Sequence, residues 1–365
     1  GKSHVYPDIR LVYWAGGNPY HHHQDLNRLR QAWRKPDTIV FHEQFWTPAA
    51  KMADFVLPAT TSLERDDIGY GTREPYVIAM KKAREPLGEA RDDYQIFNAL
   101  AERLGVAAAH SEGRASAQDW LAHLYEEARV KSAKAGVTLP PYREFWDAGI
   151  AEARGESRDP VMFAAYRADP EKNKLKTPSG KFEIFSETIA SFGYDDCPGH
   201  ATWMEPIEWL GAKAAERYPL HMLSDQPADK LHSQLDHSPH ARATKIKGRQ
   251  PITLHPDDAT ARGIAAGDLV RVFNDRGACL AAARLSDRIR RGVVRLSTGA
   301  WFDPADAGSN RPLEKHGNPN ALTLDIGASK LSQGCIAQTC LVEIERFDGP
   351  APAVTAHQPP AFAGR

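Results

Sequence analysis

The sequence lacks the features that would place it in several common classes of protein. Its 46 Lys and Arg nearly balance its 47 Asp and Glu, so no net charge favours nucleic acid or an acidic membrane surface. Its four cysteines form no CxxC pair, which excludes the usual iron–sulfur and structural zinc motifs. No apolar run approaches the roughly 20 residues of a membrane span. What remains is the composition of an ordinary globular chain, and its 365 residues suffice for two or three domains.

Strands and helices alternate in the first hundred residues. The apolar run from Ile9 to Trp14 predicts a strand that is covered on both faces. The remaining expected elements follow with short links: a helix around Leu26–Trp33, a strand at 38–41, a helix from Thr47–Pro48 and a strand at 55–57. Strand–helix–strand order with short links predicts a parallel α/β sheet. We assign 1–105 to this nucleotide-binding-like domain.

The middle of the chain is mainly helical. A helix is expected at about 93–104, and Ser116 with Asp119 resembles a capping box that begins another helix. Short helices are expected within 142–170 and a strand at 181–185. We interpret 106–215 as a helical excursion that returns to the first domain.

From about residue 218 the pattern changes to short β-segments separated by Gly, Asp and Asn. The expected strands are 221–223, 252–254, 269–273, 279–283, 293–296 and 341–344, with one helix at 256–262. Six short strands around one helix predict a small closed barrel, which we assign to 216–347. The Pro- and Ala-rich segment 348–365 is expected to be a disordered tail.

Chemistry is suggested first by the turn Gly16–Pro19, between a strand and a helix. Glycines there would let a phosphate approach the backbone, and Glu43 follows the next strand, where doubly wound folds place an acid for a ribose or base. Taken alone, this pattern is structural more often than functional. The run His21–His23 does not favour zinc, because adjacent side chains point in different directions. One of these histidines is better suited to hydrogen-bond a ligand.

Five tracts in order resemble the dimethyl sulfoxide reductase family of molybdopterin enzymes. They run from residue 10 to about 346 and comprise Trp14–Pro19 with the following histidines, Ala53–Asp67, Thr177–Lys181, Lys230–Gln234 and Gly317–Thr323. The resemblance implies a bis(molybdopterin guanine dinucleotide) cofactor with molybdenum. It also implies that the barrel is of the double-psi type and that the cofactor lies between it and the α/β domain.

The same resemblance implies a set of cofactor contacts. In the α/β domain these are Gly17, with Asn18 and His22 toward the phosphates, and His42 and Glu43 toward the guanosine, with Arg65 and Asp93 nearby. In the barrel they are Ser224, Asp225, Gln226, Lys230, His232, Ser233, Gln234, Asn320 and Gln338. Glu43 stands where the family often has Asp. Lys230 stands where Arg is common, which keeps the charge but loses a bidentate contact.

The resemblance implies reduction of a small S-oxide or N-oxide by oxygen-atom transfer, with electrons from an external donor. The tracts His316–Asn320 and Gln333–Cys335 favour the biotin or methionine sulfoxide type. The metal-ligating residue belongs to the family's amino-terminal half, so no molybdenum ligand is assigned here. Because an apolar strand begins within a few residues of Gly1, we expect the chain to be part of a longer protein.

Two alternatives stay open from sequence alone. The chain could be a non-catalytic module that binds the guanine dinucleotide or acts in cofactor assembly. It could also be a nucleotide-dependent enzyme on a Rossmann-like sheet, although this hypothesis leaves the barrel unexplained. The sequence is compatible with either the bacterial cytoplasm or the periplasm.

Overall fold

A computed structural model describes residues 4–71, 74–153, 155, 161–336 and 339–360. The chain divides into two compact units. The first comprises Gly1–Val40, Trp46–Asp54 and Glu183–Arg365, and the second comprises Phe41–Phe45 and Phe55–Phe182. No helix in the described ranges is both long enough and apolar enough to cross a membrane.

The opening elements follow the predicted alternation. They are strand β1 (Leu11–Ala15), helix α1 (Leu26–Trp33), strand β2 (Thr38–Glu43), a 3-10 turn (Ala50–Met52) and strand β3 (Phe55–Pro58). The three strands form one sheet in the order β1, β2, β3. The Asp54 N–H donates to the Ile39 carbonyl at 3.0 Å and the Ala59 N–H donates to the Glu43 carbonyl at 3.0 Å. Both partners advance along the chain together, so β2 and β3 are parallel, as predicted.

Two local expectations in this region are wrong. Leu11 on β1 is 57% exposed, so the apolar strand is not covered on both faces by the described residues. The helix expected from Thr47 is a single 3-10 turn, in which the Thr47 hydroxyl accepts from the Ala50 N–H at 3.2 Å. The Asp54 N–H donates to β2 immediately after this turn, so the chain returns to the sheet without a longer helix.

The second unit contains a small antiparallel sheet beneath helices. Its elements are strands β4 (Asp67–Tyr70), β5 (Tyr76–Met80) and β6 (Ile150–Glu152) and helices α2 (Asp93–Arg103), α3 (Ala107–Ser111), α4 (Ala117–Lys134), α5 (Tyr142–Ala148) and α6 (Ala164–Ala168). Ser116 caps α4 by accepting from the Asp119 N–H at 3.2 Å, as its sequence predicts. Tyr125 and Phe145 stack at 4.4 Å in the core of this unit.

An irregular segment of the first unit precedes the barrel and contains helix α7 (Glu187–Ala190) and a 3-10 turn (Lys213–Glu216). The barrel and its connections follow in the order β7 (Leu220–Leu223), α8 (Pro239–Ala243), β8 (Pro251–Leu254), α9 (Pro256–Thr260), β9 (Leu269–Asn274), β10 (Gly277–Leu285), β11 (Val293–Leu296), β12 (Leu313–Glu314), a 3-10 turn (Pro319–Ala321) and β13 (Thr339–Arg346). The strand expected at 181–185 is absent from the described chain, and Ile184 there is 90% exposed. An isolated extended segment has no partner for its backbone groups, so it does not remain a strand.

Six strands close on one another as the sequence predicts. The order β10, β8, β11, β7, β13, β9 returns to β10, and the short strand β12 pairs in parallel with the start of β10, at Ala278 and Cys279. The pairs β8–β10 and β7–β11 are parallel, and the hairpin β9–β10 is antiparallel with Gly277 opposite Asn274. Apolar side chains such as Leu254, Val272 and Leu296 fill the interior without solvent exposure. This burial supplies the main stabilisation of the barrel.

The segment 348–360 has no helix or strand, yet it is held in place, which differs from the expected disordered tail. The Thr355 N–H donates to the Asp303 carboxylate at 2.6 Å. The Arg249 guanidinium donates to the Pro352 carbonyl at 2.5 Å, and Ala356 is fully buried. The composition of this segment predicted disorder, because the segment contains few large apolar residues. Polar contacts to the barrel, together with the burial of Ala356, hold it in place instead.

Candidate functional site

The turn after β1 meets a loop of the barrel within the first unit. Gly16 and Gly17 adopt left-handed φ angles of 85° and 75°, which leave their backbone open at the strand end. The next residue, Asn18, donates from Nδ2 to the Ser233 hydroxyl at 2.6 Å and lies 2.9 Å from His21 Nε2. Two of the predicted contact tracts, 215 positions apart, are therefore joined directly.

Two predicted histidines lie beside this junction. The rings of His22 and His232 are 4.9 Å apart in an edge-to-face arrangement. Burial, with the neighbouring His232, lowers the pKa of His22, so the ring is neutral at pH 7. Within the described residues its buried Nδ1 has no hydrogen-bond partner. A Cβ on Gly299 would overlap the His232 carbonyl oxygen, so a glycine is needed for this close approach.

The other barrel residues of the predicted set differ in exposure. Ser224 is buried just after β7, whereas Gln226 and Gln234 are exposed. The Ser297 hydroxyl donates to the Asp225 carboxylate at 2.7 Å, and the Thr298 N–H donates to the Asp225 carbonyl at 2.9 Å. The loop after β7 is thus fixed to the end of β11.

Lys230 lies in the interior rather than at an open surface. Its side chain is 1% exposed, and its Nζ lies 3.3 Å from Asp236 Oδ1 and 3.4 Å from Asp229 Oδ2. Lys245 Nζ approaches the same Asp236 oxygen at 2.9 Å. The predicted role of Lys230 as a phosphate contact therefore competes with a buried ion cluster that already satisfies its charge.

The Gly317–Asn320 tract is anchored by residues that sequence analysis did not select. Asn318 Nδ2 donates to the His21 carbonyl at 3.1 Å and to the Ala300 carbonyl at 2.7 Å. The fully buried Glu314 carboxylate accepts from the Gly317 and Asn318 N–H groups at 2.6 and 2.8 Å, and burial raises its pKa to about 8. The predicted Asn320 is buried, and its Oδ1 accepts from the Thr323 hydroxyl at 3.0 Å. Gln338 lies outside the described residues.

The second unit brings together most of its predicted residues in local pairs. His42 Nδ1 lies 2.7 Å from Asp93 Oδ1, with the ring buried and the carboxylate half-exposed. Arg65 Nη1 donates to the Thr60 carbonyl at 3.1 Å, and the Gln44 amide donates to the same oxygen at 2.9 Å. The Glu43 carboxylate accepts from the following backbone N–H at 2.9 Å.

Sequence analysis missed the hub of the barrel loops, Asp236. Its Oδ2 accepts from the Trp301 N–H at 3.2 Å and from a ring N–H of His357 at 3.0 Å. Burial opposes ionisation, but the His357 hydrogen bond and the Lys245 ammonium hold the pKa of Asp236 well below its usual range. A lone acid in a polar loop carries no sequence signal of its burial. Asn318 did carry a signal, since Asn before Pro favours a side-chain turn.

Asp236, His316 and His357 also lie close enough together to be tested as a metal site. Their potential ligand atoms are all within 4.8 Å of one another. However, Lys245 Nζ is 2.9 Å from Asp236 Oδ1, so a cation there would face an ammonium group. The other Asp236 oxygen already accepts from Trp301 and His357. The arrangement fits a buried carboxylate held by ammonium and hydrogen-bond donors better than a metal centre.

In each unit of the described chain, one of the buried polar atoms left without a hydrogen-bond partner lies in or beside a predicted contact tract. His22 Nδ1 in the first unit and Thr60 Oγ1 in the second are buried without a hydrogen-bond partner among the described residues. Buried polar atoms are almost always paired, so each of these two atoms is available to hydrogen-bond a ligand. Amides, hydroxyls and neutral imidazoles match the acceptors and donors of a pterin dinucleotide, and open glycine backbone matches its phosphates.

Two family models match the chain. The model described as molybdopterin oxidoreductase covers residues 3–103, and the model described as molydopterin dinucleotide binding domain covers residues 220–341. These ranges contain the loops that carry Asn18 and Ser233.

Characterised relatives match nearly the whole chain. Biotin sulfoxide reductase from Cereibacter sphaeroides is 51% identical over 96% of the chain and 46% of its own length. Dimethyl sulfoxide/trimethylamine N-oxide reductase from Rhodobacter capsulatus is 45% identical over 100% of the chain and 44% of its length. The structure of acetylene hydratase from Pelobacter acetylenicus is 21% identical and superposes with a TM-score of 0.66 over 89% of this chain and 42% of that one. The chain spans less than half the length of these relatives.

Proposed function

This chain belongs to the dimethyl sulfoxide reductase family of molybdopterin oxidoreductases, and we propose that it is the cofactor-holding, carboxy-terminal half of an S-oxide or N-oxide reductase. The cofactor of this family's reductases is bis(molybdopterin guanine dinucleotide) with molybdenum. The reductase activity belongs to the longer relatives, and its extension to this chain is part of the proposal.

One observation carries this proposal: the hydrogen bond of 2.6 Å from Asn18 to Ser233. It joins a glycine turn at a strand end to a polar loop of the barrel. The turn offers backbone N–H groups to a phosphate, and the loop offers hydroxyl and imidazole groups. A pterin dinucleotide needs both kinds of contact, because its central pyrophosphate is charged and the pterin and guanosine on either side present neutral donors and acceptors.

The residues divide into two groups by what they would hold. In the first unit, Asn18, His22, His232 and Ser233 would contact the dinucleotide phosphates and pterin. In the second unit, the buried His42, oriented by Asp93 at 2.7 Å, and the adjacent Glu43 would face a guanosine. When bound, the molybdenum pterin supplies the two-electron chemistry that removes the oxide oxygen from a substrate. The chain itself positions that group and excludes water around it.

The substrate class rests on the relatives. The biotin sulfoxide reductase is 51% identical to this chain, against 45% for the dimethyl sulfoxide/trimethylamine N-oxide reductase. This difference, together with the tracts His316–Asn320 and Gln333–Cys335, supports a biotin or methionine sulfoxide. An external electron donor is required, because the oxide is reduced by two electrons.

We further propose that an amino-terminal half of the same protein completes the enzyme. Two observations support this part of the proposal. The chain covers 46% of the biotin sulfoxide reductase. Leu11 on the apolar strand β1 is 57% exposed, and an apolar surface of this kind is expected to be covered. That half would also supply the metal ligand.

The test is cofactor content in the holoenzyme that contains this chain. Asn18→Ala and Ser233→Ala should each lower the guanine dinucleotide and molybdenum bound per protein, measured by nucleotide chromatography and metal analysis. His23→Ala is the matched control, since His23 is exposed in the same turn. Wild-type cofactor content in both test variants would contradict the proposal.

The competing hypothesis is a module that binds or assembles the cofactor without turnover. It makes the same binding prediction but does not require a metal-ligating half. A coding sequence upstream of this segment with a pterin-binding region and a Ser, Cys or Asp metal ligand would favour the enzyme. Its absence, with retained dinucleotide binding, would favour the module.

A further inference from the structure

We propose that the segment Thr355–His357 positions the cofactor loop His232–Gln234 by way of Asp236. This inference rests on the proposed function of that loop as a dinucleotide contact. Nothing in the family models extends to this segment, because the matched ranges end at residue 341.

Asp236 links the loop to the body of the barrel. It is fully buried and lies three positions after Ser233, whose carbonyl accepts from Trp301 Nε1 at 2.8 Å. The Trp301 backbone N–H in turn donates to Asp236 Oδ2 at 3.2 Å. The position of Ser233, and with it the bond to Asn18, therefore depends on where the Asp236 carboxylate sits.

His357 supplies a donor to that carboxylate from a distant part of the chain. Its Nε2 lies 3.0 Å from Asp236 Oδ2, and its side chain is mostly buried. The two lysines of the cluster approach Oδ1, whereas His357 and the Trp301 N–H donate to Oδ2. Loss of this donor leaves one lone pair of a buried carboxylate unsatisfied.

The segment that carries His357 is itself anchored. The Thr355 hydroxyl donates to Asp303 at 2.7 Å, and Lys315 Nζ donates to the Thr355 hydroxyl at 2.7 Å. Lys51 Nζ donates to the Ala356 carbonyl at 2.7 Å. These contacts fix the position of the His357 imidazole. The hydrogen bond from this imidazole then fixes the position of the Asp236 carboxylate. His357 is a positioning residue, since it does not reach the loop itself.

The test compares His357→Ala with His357→Gln in the holoenzyme. Alanine removes the donor, whereas glutamine retains an N–H at a similar distance from the backbone. Because a hydrogen bond to a charged group changes an equilibrium by roughly tenfold or more, we expect the dinucleotide to leave His357→Ala about tenfold faster than wild type. His357→Gln should recover most of that difference. Gln358→Ala is the matched control, since Gln358 is exposed on the same segment.

A second measurement separates positioning from general stability. Amide hydrogen exchange over residues 230–236 should rise in His357→Ala and return toward wild type in His357→Gln. A lower melting temperature with unchanged exchange at 230–236 and unchanged dinucleotide release would overturn the inference. Ser233→Ala serves as the reference for the loop. If Ser233→Ala and Asn18→Ala keep wild-type cofactor content, the proposed function fails; if they lose cofactor while His357→Ala does not, only the positioning inference fails.

Discussion

Replacement of Lys245 by Met tests how the barrel unit balances the charges in its interior. Lys245 and Lys230 are 2% and 1% exposed, and they face the carboxylates of Asp236 and Asp229. Two positive charges thus oppose two negative charges in a volume almost closed to water. Methionine keeps the length and apolar stem of lysine but removes one ammonium group. The cluster would then hold two carboxylates and the single ammonium of Lys230.

The expected magnitude follows from the burial of the pair. Removing one partner of a buried ion pair costs about 3–5 kcal/mol, because the remaining charge is left without compensation. Screening by solvent does not reduce this cost here, since Asp236 is fully buried. For a unit of this size each kcal/mol corresponds to roughly 2 °C, so the melting temperature should fall by about 6 °C or more.

Calorimetry or urea unfolding of three variants measures this effect. Lys247→Met is the matched control, because Lys247 is exposed two positions away and should unfold as wild type does. Adding Asp229→Asn to Lys245→Met leaves Lys230 opposite Asp236 alone and should restore part of the lost stability. Equal midpoints for the two methionine variants, or a further loss on adding Asp229→Asn, would refute the charge-balance argument.

Three further predictions concern the cofactor, the activity and pH. Glu43→Ala should weaken guanine dinucleotide retention by about 1.5–3 kcal/mol in the holoenzyme, and more than Glu43→Asp does; equal cofactor content in both variants would argue against a guanosine contact. The isolated chain should show no sulfoxide reductase activity with a viologen donor. Turnover by the isolated chain would contradict the proposal that an amino-terminal half completes the enzyme. Burial lowers the pKa of His21 and of His316 from 6.5 to about 3, so only the unfolded state gains protons as pH falls below 6.5. Each histidine should then remove up to about 2 kcal/mol of unfolding free energy between pH 7 and pH 5, whereas the buried Glu314, whose raised pKa favours protonation of the folded state over this range, should restore about 2 kcal/mol. A net loss of roughly 1–2 kcal/mol is therefore expected in urea unfolding, and an unfolding free energy that does not fall between these pH values would contradict the burial of both histidines as neutral rings.

Elements with a local signal were predicted well from the sequence. All six barrel strands occur within a few residues of their expected positions, because short apolar segments between Gly, Asp and Asn have one simple interpretation. The capping Ser116 and the hairpin at Gly277 were also correct, since each depends on the chemistry of a few adjacent residues. The predicted contacts Asn18 and Ser233 came from the family resemblance rather than from any spacing rule, and the structure places them in hydrogen-bond contact.

Elements that depend on distant partners were predicted poorly. The segment 181–185 has the residue types of a strand, but the described chain provides no neighbour for it. Residues 348–360 have the composition of a disordered tail, yet Asp303, Arg249 and Asp236 bind them. In both cases the deciding interaction is made by residues far away in sequence, and composition within a window cannot report it.

The treatment of Lys230 shows where resemblance and physics must be weighed together. By position it matches a phosphate-binding residue of the family, and the loss of a guanidinium was expected to weaken that contact. The structure instead gives Lys230 two carboxylate neighbours within 3.4 Å. An ammonium group can turn toward either side of such a cluster, whereas a bidentate guanidinium is held to one plane. Lys230 therefore stays a proposed phosphate contact only if a bound phosphate replaces one of these carboxylates as its partner.

The loss of stability in Lys245→Met, measured with and without cofactor, tests this exchange, because Lys230 and Lys245 face the same Asp236 oxygen. If Lys230 turns to the phosphate when cofactor is bound, Lys245→Met should lose more stability in the holoenzyme than in the apoprotein. Equal losses in the two forms would assign Lys230 to the interior alone.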